Sequence, residues 1–312
     1  MRQSDTLGID ISKHKLDAFR LRDNTHQVFA NSPQGFRALL KWVGKNQPAR
    51  VVFEATGAYH KAMEQALSGR LPLVKVNPLQ AKRFAQSTGA RAKTDKADAK
   101  MLAQMGAALE LVPDTPKDKD HSEIKELQTA RNGLIKARTA VKNQLAQQRL
   151  ALTKTLTRAR LRQLEGQIAK LDAEIKSKLE TCPKRKRKAE IIQSIPGIGR
   201  VLTHAILIEM PEIGQLTNKA AAALTGVAPY ARQSGQWKGK AFIQGGRKQL
   251  RDALYMPALV ATCFNPDLRA KYEALKKKGK PSKVAITAIM RKLIVLANTL
   301  VRENRTWINN HA

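Results

Sequence analysis

The sequence predicts a layered α/β domain, then a long helical arm, then a mainly helical C-terminal domain. Three observations carry this prediction. Residues 6–112 alternate short apolar runs of strand length with segments of helical spacing. Residues 121–179 hold apolar residues at a sustained near-heptad spacing. From Ala189 onward the pattern is helical again, interrupted by a Gly-rich stretch at 234–247. We place the boundaries at 1–118, 119–185 and 186–312. With 312 residues and 42% hydrophobic content, the chain can bury the cores this division requires.

In the first domain, Leu7–Ile11 is a short apolar strand. Leu16–Leu21 alternates in polarity and suits a hairpin partner, with His26–Ala30 a third strand. Ser32-Pro33 opens a helix whose Phe36, Leu39, Leu40 and Val43 share one face. Arg50–Glu54 is a buried strand, and Thr56-Gly57 starts a second helix. Leu73–Val76 is another strand, stopped by Asn77-Pro78. Gln80 to about Leu109 is mainly helical, with a break around Thr88-Gly89. Pro113 and Pro116 mark the boundary. In the arm, Leu134, Val141, Leu145, Leu152 and Leu156 form one apolar series; Leu161, Leu164, Ile168, Leu171 and Ile175 form another. This periodicity suits a protruding antiparallel coiled coil, against the plainer alternative of a helical hairpin packed on a domain. Pro183-Lys184-Arg185-Lys186-Arg187-Lys188 closes the arm as a solvated linker or a phosphate-contacting run.

The chain carries 57 Lys+Arg against 25 Asp+Glu, a formal charge of +32. That excess predicts a polyanionic partner, nucleic acid or an acidic membrane surface. Aromatics at 4% argue against a stacking-based single-strand binder. No apolar stretch reads as long enough to span a bilayer, and Met1–Asp5 does not read as a leader. Cys182 and Cys263, the only cysteines, build no zinc site and suit a reducing compartment, so a bacterial cytoplasmic protein is expected.

In so basic a chain, well-placed acids stand out. Asp10 closes the run Thr6-Leu7-Gly8-Ile9-Asp10, and Glu54 follows Val51-Val52-Phe53. Two strands of one sheet can bring both to the same edge. Asp95 and Asp98, three apart, share one side of a helix. Packed on the sheet, that helix would gather four carboxylates, a donor set for hard divalent ions working on a phosphodiester. Each acid alone has a plainer reading: Asp10 as a turn cap, Glu54 as a surface ion-pair partner, Asp95 as a helix cap after Thr94. Their joint context favours the metal site.

Gly8-Ile9-Asp10, Glu54-Ala55-Thr56-Gly57-Ala58-Tyr59, Asn77-Pro78 and Lys93-Thr94-Asp95-Lys96-Ala97-Asp98-Ala99 resemble the DEDD transposases of bacterial insertion sequences. This is the family numbered one hundred and ten, which also includes the Piv pilin-gene invertase. The resemblance continues through Ile195-Pro196-Gly197-Ile198-Gly199, Leu224–Pro229, Ser234-Gly235 and Leu250–Ala261, nearly the whole chain. It implies an RNase H-like (RuvC-like) first domain whose Asp10, Glu54, Asp95 and Asp98 bind Mg²⁺, expected as two ions. It also implies Ser234 as a nucleophile forming a covalent phosphoserine–DNA link, guidance by a structured bridge RNA, and assembly as homodimers or homotetramers.

The remaining motifs fit a DNA partner. Ile195–Gly199 lies between two helical segments and looks like a helix-hairpin-helix reader, in which Gly197 and Gly199 let backbone N–H groups approach a phosphate. Its plain alternative is an αα-corner. Ser234 is crowded in sequence by Arg232, Lys238, Lys240, Arg247, Lys248 and Arg251, candidate phosphate clamps. A serine hydroxyl needs a base or metal to become a nucleophile. No nucleotide-binding loop is present, consistent with a covalent intermediate that conserves phosphodiester energy. The leading expectation is a DNA recombinase that moves its own element, acting on double-stranded element ends and target at the nucleoid. The alternatives are a RuvC-like metal-dependent junction nuclease using water, with Ser234 structural, and a non-enzymatic nucleic-acid-binding protein.

Overall fold

The computed structural model describes residues 5–55, 57–89, 94–114 and 119–308, with the side chains of Lys119 and Lys238 excepted. Thr56, Lys93 and Pro116, used in the sequence reading, lie outside the described residues, as do Met1–Ser4. The chain divides into two compact units, Met1–Asp118 and Lys119–Ala312.

The first unit is built on a five-stranded sheet of β1 (Thr6–Ile11), β2 (Lys15–Arg20), β3 (Thr25–Ala30), β4 (Arg50–Glu54) and β5 (Leu73–Val76). Its order is β3-β2-β1-β4-β5. The first three strands are antiparallel hairpins; β4 runs parallel to β1 and β5 parallel to β4. Helices α1 (Pro33–Val43), α2 (His60–Leu67), α3 (Pro78–Ser87) and α4 (Asp95–Ala108) complete the unit. Side chains alternate across a strand, so β1 and β4 each serve two cores. Leu7, Ile9, Val51 and Phe53 pack with Leu39, Met63 and Leu67 of α1 and α2. Val52 packs with Val74, Val76, Leu102 and Met105 on the opposite face. Each such side chain, fully buried, contributes about 1.5–3 kcal/mol.

All five expected strands form. The expected break near Thr88-Gly89 is real: α3 ends at Ser87 and α4 begins at Asp95. The second helix starts later than expected, at His60, because the chain turns through 57–59 with Gly57 in the left-handed region. A buried ion pair ties β2 to the loops: Arg20, 4% exposed, donates to Asp5 at 2.6 and 2.8 Å and to the Val43 carbonyl at 3.1 Å.

The second unit opens with α5 (Lys119–Gln147) and α6 (Ala151–Thr181). Ion pairs Lys178–Glu123, Arg131–Asp172 and Lys142–Glu165 run in opposite directions along the two helices, so they are antiparallel. Val141, Leu164, Ile168 and Ile175 are buried, as the spacing predicts. Leu152 and Leu156 are not: they are 71% and 63% exposed. The chain reverses between Gln147 and Ala151, so the first apolar series cannot continue in phase. In the first turns of α6 it is Thr157 that is buried instead.

The rest of the unit holds α7 (Pro183–Gln193), α8 (Arg200–Glu209), α9 (Asn218–Thr225), α10 (Lys248–Phe264), α11 (Pro266–Lys277) and α12 (Ser282–Arg302). Two small antiparallel pairs lie between α9 and α10: β6 (Pro229–Tyr230) with β9 (Phe242–Ile243), and β7 (Gln233–Ser234) with β8 (Trp237–Lys238). The basic run at 183–188 is no linker; it forms the first turns of α7. Lys188 donates to the Pro211 and Ile213 carbonyls, Arg185 to the Lys178 carbonyl and Arg187 to the Asn304 carbonyl. The membrane expectation also needs correcting. Helix α12 is long and apolar enough to cross a bilayer, with mean hydropathy 1.8 over its most apolar window. Half of that window is buried, and Ile286, Ile289, Leu293, Ile294 and Leu300 join the core of this unit. Its buried Asn298 holds Gly214 N–H and the Leu216 carbonyl at 2.9 and 2.8 Å.

Candidate active site

The carboxyl ends of β1 and β4 set the site. Gly8 aligns with Val52 and Ile9 with Phe53, so Asp10 and Glu54 stand side by side one step further on. Gly8 and Val52 face α4; by the two-residue period, Asp10 and Glu54 face the same way. Gly8 is what lets α4 lie so close. A Cβ there would sit 2.0 Å from the Ala99 carbonyl oxygen and 2.5 Å from the Ala103 nitrogen, so only glycine permits this approach. Asp95, Ala99, Ala103 and Gly106 form one stripe of α4, and its small members meet the sheet. The stripe delivers Asp95, with Asp98 beside it, to the strand ends.

Thr94 caps α4, its hydroxyl accepting from Ala97 N–H at 3.2 Å. Asp95 is therefore the first helical residue and not the cap. Both acids lie in the first turn, where the partial positive charge of the helix end favours carboxylates.

The acids act on one another. Burial, then the charges of Asp98 and Asp95, push the Asp10 carboxyl up to about 6, with a smaller push from Asp17 and an opposing hydrogen bond from Ile11 N–H. Burial and Asp98 raise Glu54. Asp95 is held below the usual carboxylate range by Lys15, whose ammonium group lies 2.5 Å away. Mutual repulsion of this kind is relieved by a divalent cation, and oxygen-only donors suit a hard ion. In donor chemistry the residues fit a hard metal. Among the described residues, however, no three acid, His or Cys side chains converge closely enough to ligate one ion as they stand.

Three residues here escaped the sequence reading. Asp17 pairs directly with Asp10 across β1 and β2, is 4% exposed, and accepts from His26 Nε2 at 3.0 Å. Lys15, two residues earlier on the same face, lies 3.3 Å from Asp17 as well as touching Asp95. The signal was the alternation of Lys15, Asp17 and Phe19, legible only once the hairpin register is known.

In the second unit, Ser234 is exposed at the end of β7, joined to β8 by the two-residue turn Gly235-Gln236. Trp237 pairs with it and is 60% exposed. Arg232 stacks over the Phe242 ring at 4.5 Å, and Lys240 is exposed. Lys238 occupies β8, and its side chain lies outside the described residues. Lys248 is exposed and pairs with Asp252 at 2.5 Å. Arg251 donates to the Gly245 carbonyl at 2.5 Å. Arg247 is drawn inward: it donates to both Glu212 oxygens at 2.8 and 2.9 Å and to the Glu209 carbonyl at 2.5 Å, a brace between α8 and the start of α10. Glu212 is correspondingly lowered by Arg247, although burial opposes this.

The turn between α7 and α8 separates its glycines. Gly199 is exposed with open space around it. Gly197 has φ +98°, and a Cβ there would lie 2.7 Å from the Ala261 side chain. Its glycine is thus required for packing on α10, whatever the turn contacts.

Residues 7–156 match a transposase family of the DEDD type typified by IS110, and residues 189–273 match the transposase IS116/IS110/IS902 family. The pilin gene-inverting protein of Moraxella lacunata is 33% identical over 96% of this chain and 97% of its own length. That of Moraxella bovis is 32% identical over the same shares. An uncharacterized 42 kDa protein of insertion element IS900 from Mycobacterium paratuberculosis is 29% identical over 57% of this chain and 46% of its own. The acid edge, the serine hairpin and these two matched segments lead to one conclusion: the chain belongs to the IS110 family of transposases and is a DNA recombinase, an enzyme that cuts and rejoins DNA.

Proposed function

We propose that this recombinase cuts DNA with a composite site: Asp10, Glu54, Asp95 and Asp98 as metal ligands in a RuvC-like domain, and Ser234 as nucleophile. The observation that carries the first half is the placement of Asp10 and Glu54 at neighbouring parallel strand ends, under the helix that bears Asp95 and Asp98. The strand order β3-β2-β1-β4-β5 supports the RNase H-like reading. Bound Mg²⁺, two ions in this reading, would polarise the scissile phosphate and stabilise the leaving oxygen.

In the proposed chemistry Ser234 Oγ loses its proton and bonds to phosphorus. One phosphorus–oxygen bond of the DNA backbone breaks, and the departing deoxyribose oxygen leaves as a hydroxyl. A hydroxyl of the partner strand then attacks the same phosphorus, Ser234 is released, and the phosphodiester count is unchanged. Exposure of Ser234 at a hairpin tip suits attack on a large substrate. Arg232, Lys240, Lys248 and Arg251, with Lys238, are the cations we assign to phosphate contact, and Gly199 is the open turn position of the helix-hairpin-helix candidate. The arm at 119–185, the charge of +32 and the family membership support assembly as dimers or tetramers, guidance by a structured RNA, and action at the bacterial nucleoid in the cytoplasm.

The test is a denaturing gel with end-labelled element DNA, Mg²⁺ and the RNA transcribed from the element's flank. Wild type is expected to give a protein–DNA adduct, lost in Ser234→Ala. Asp98→Ala is expected to abolish cleavage while leaving nucleic-acid affinity intact. Cleavage without an adduct in Ser234→Ala would instead mark a water-using nuclease. Absence of Mg²⁺-dependent cleavage in wild type would leave only a binding protein.

A further inference from the structure

We propose that Lys15 is a tethered competitor for the divalent ion, a latch that holds Asp95 until metal displaces it. The inference rests on the reading of the four acids as a metal site. Its own support is geometric. Lys15 opens β2, and the β1–β2 turn is locked around it: Ser12 Oγ donates to the Lys15 carbonyl at 3.1 Å and accepts from Lys15 N–H at 3.2 Å. The side chain so placed reaches across to α4, 80 residues away in sequence, and donates to Asp95 at 2.5 Å.

The second contact makes this a latch and not a plain salt bridge. Lys15 Nζ is 3.3 Å from Asp17 Oδ2, and Asp17 is buried and oriented by His26 on its other oxygen. When Asp95 turns to an ion, the ammonium group keeps Asp17 as its partner. The cation is therefore not expelled to solvent but moves within a pair of acids. Asp95 and Lys15 are each about half exposed, so the bond is modest and its release by a doubly charged ion is feasible. Lys15 is a positioning residue in this scheme: it acts through Asp95, and no reacting atom touches it.

The measurement is Mn²⁺ binding to the full chain, followed by electron paramagnetic resonance and by titration calorimetry at low salt. Lys15→Gln is expected to bind Mn²⁺ about fivefold more tightly than wild type, the upper range for an exposed ion pair. Lys15→Arg keeps the charge and is expected to behave as wild type, and both variants should melt like it. The Lys15→Gln gain is expected to vanish when Asp95 is also changed to Asn. Unchanged or weaker Mn²⁺ binding in Lys15→Gln overturns the latch. An Asp10→Asn/Asp98→Asn double variant separates the two claims: if it binds Mn²⁺ as wild type does, the acid-site reading itself fails and the latch falls with it.

Discussion

The acid edge and the serine hairpin are built on opposite principles. Asp10 and Glu54 rise from central strands whose other residues, Arg50 apart, are buried, and α4 is clamped against them through Gly8. Ser234 sits on a two-residue strand with an exposed partner and a two-residue turn. One half is organised by its own core and strained by like charges. The other has little holding it within its unit. Under the proposed function, the contrast puts the cost of the acids on stability and the cost of the serine on assembly with nucleic acid.

The largest effect expected from breaking this contrast is on cleavage. Asp10→Asn is expected to reduce strand cleavage by at least about a thousandfold, since a neutral amide is a poor ligand for a hard ion. The same change is expected to stabilise the first unit by on the order of 1 kcal/mol, discounted for the solvent that reaches the site. A calorimetric melt of the free protein checks this; a fall in Tm would contradict the charge strain described above.

Next in size is Gly8→Val. Its side chain would collide with the α4 backbone, so a loss of about 3 kcal/mol and weakened Mn²⁺ binding are expected. Gly235→Ala on the hairpin should cost far less, although Gly235, unlike Gly8, has a positive φ, because nothing packs on it. Equal losses would erase the distinction between the two regions.

Arg247→Met sharpens the same comparison inside the second unit. We expect a loss of about 2 kcal/mol from leaving Glu212 half-buried and unpaired, with the salt slope of DNA binding unchanged. Lys248→Ala should do the reverse: little change in Tm, and a slope reduced by about one. If Arg247→Met lowers the slope without lowering stability, the residue is a phosphate clamp after all.

The smallest effect is on pH. Asp10 has its folded pKa raised to about 6, above its ordinary value, so the folded state holds that proton more tightly than the unfolded chain. Its contribution to stability is present in full at low pH and is lost as pH rises through about 6. Metal binding at the proposed site would run the other way, because a carboxylate ligand acts in its deprotonated form: Mn²⁺ affinity should fall below about pH 6. In Asp10→Asn the stability component should disappear.

Much of this was legible in the chain because it is local. Strand and helix periods, the Ser32 cap and the short motif around each acid depend on a few neighbouring residues. The arm shows the limit: its apolar series read as continuous through Leu156, but the reversal after Gln147 shifts the phase and leaves Leu152 and Leu156 exposed. Likewise Arg247 looked like one of a row of cations, yet its partner Glu212 lies 35 residues back, in the turn after α8.

By itself, then, the sequence determined the strands of the first unit, the helical character of the second apart from its four short strands, which acids are candidates and that the partner is a polyanion, since period, charge and motif are properties of the chain. Only the tertiary structure decided that Asp17 faces Asp10, that Lys15 claims Asp95, and that Gly8 and Gly197 are glycines for packing. Those depend on register and on distances between segments far apart in the chain, and a contact of 2–3 Å is set by the packing of whole elements, which no local pattern encodes.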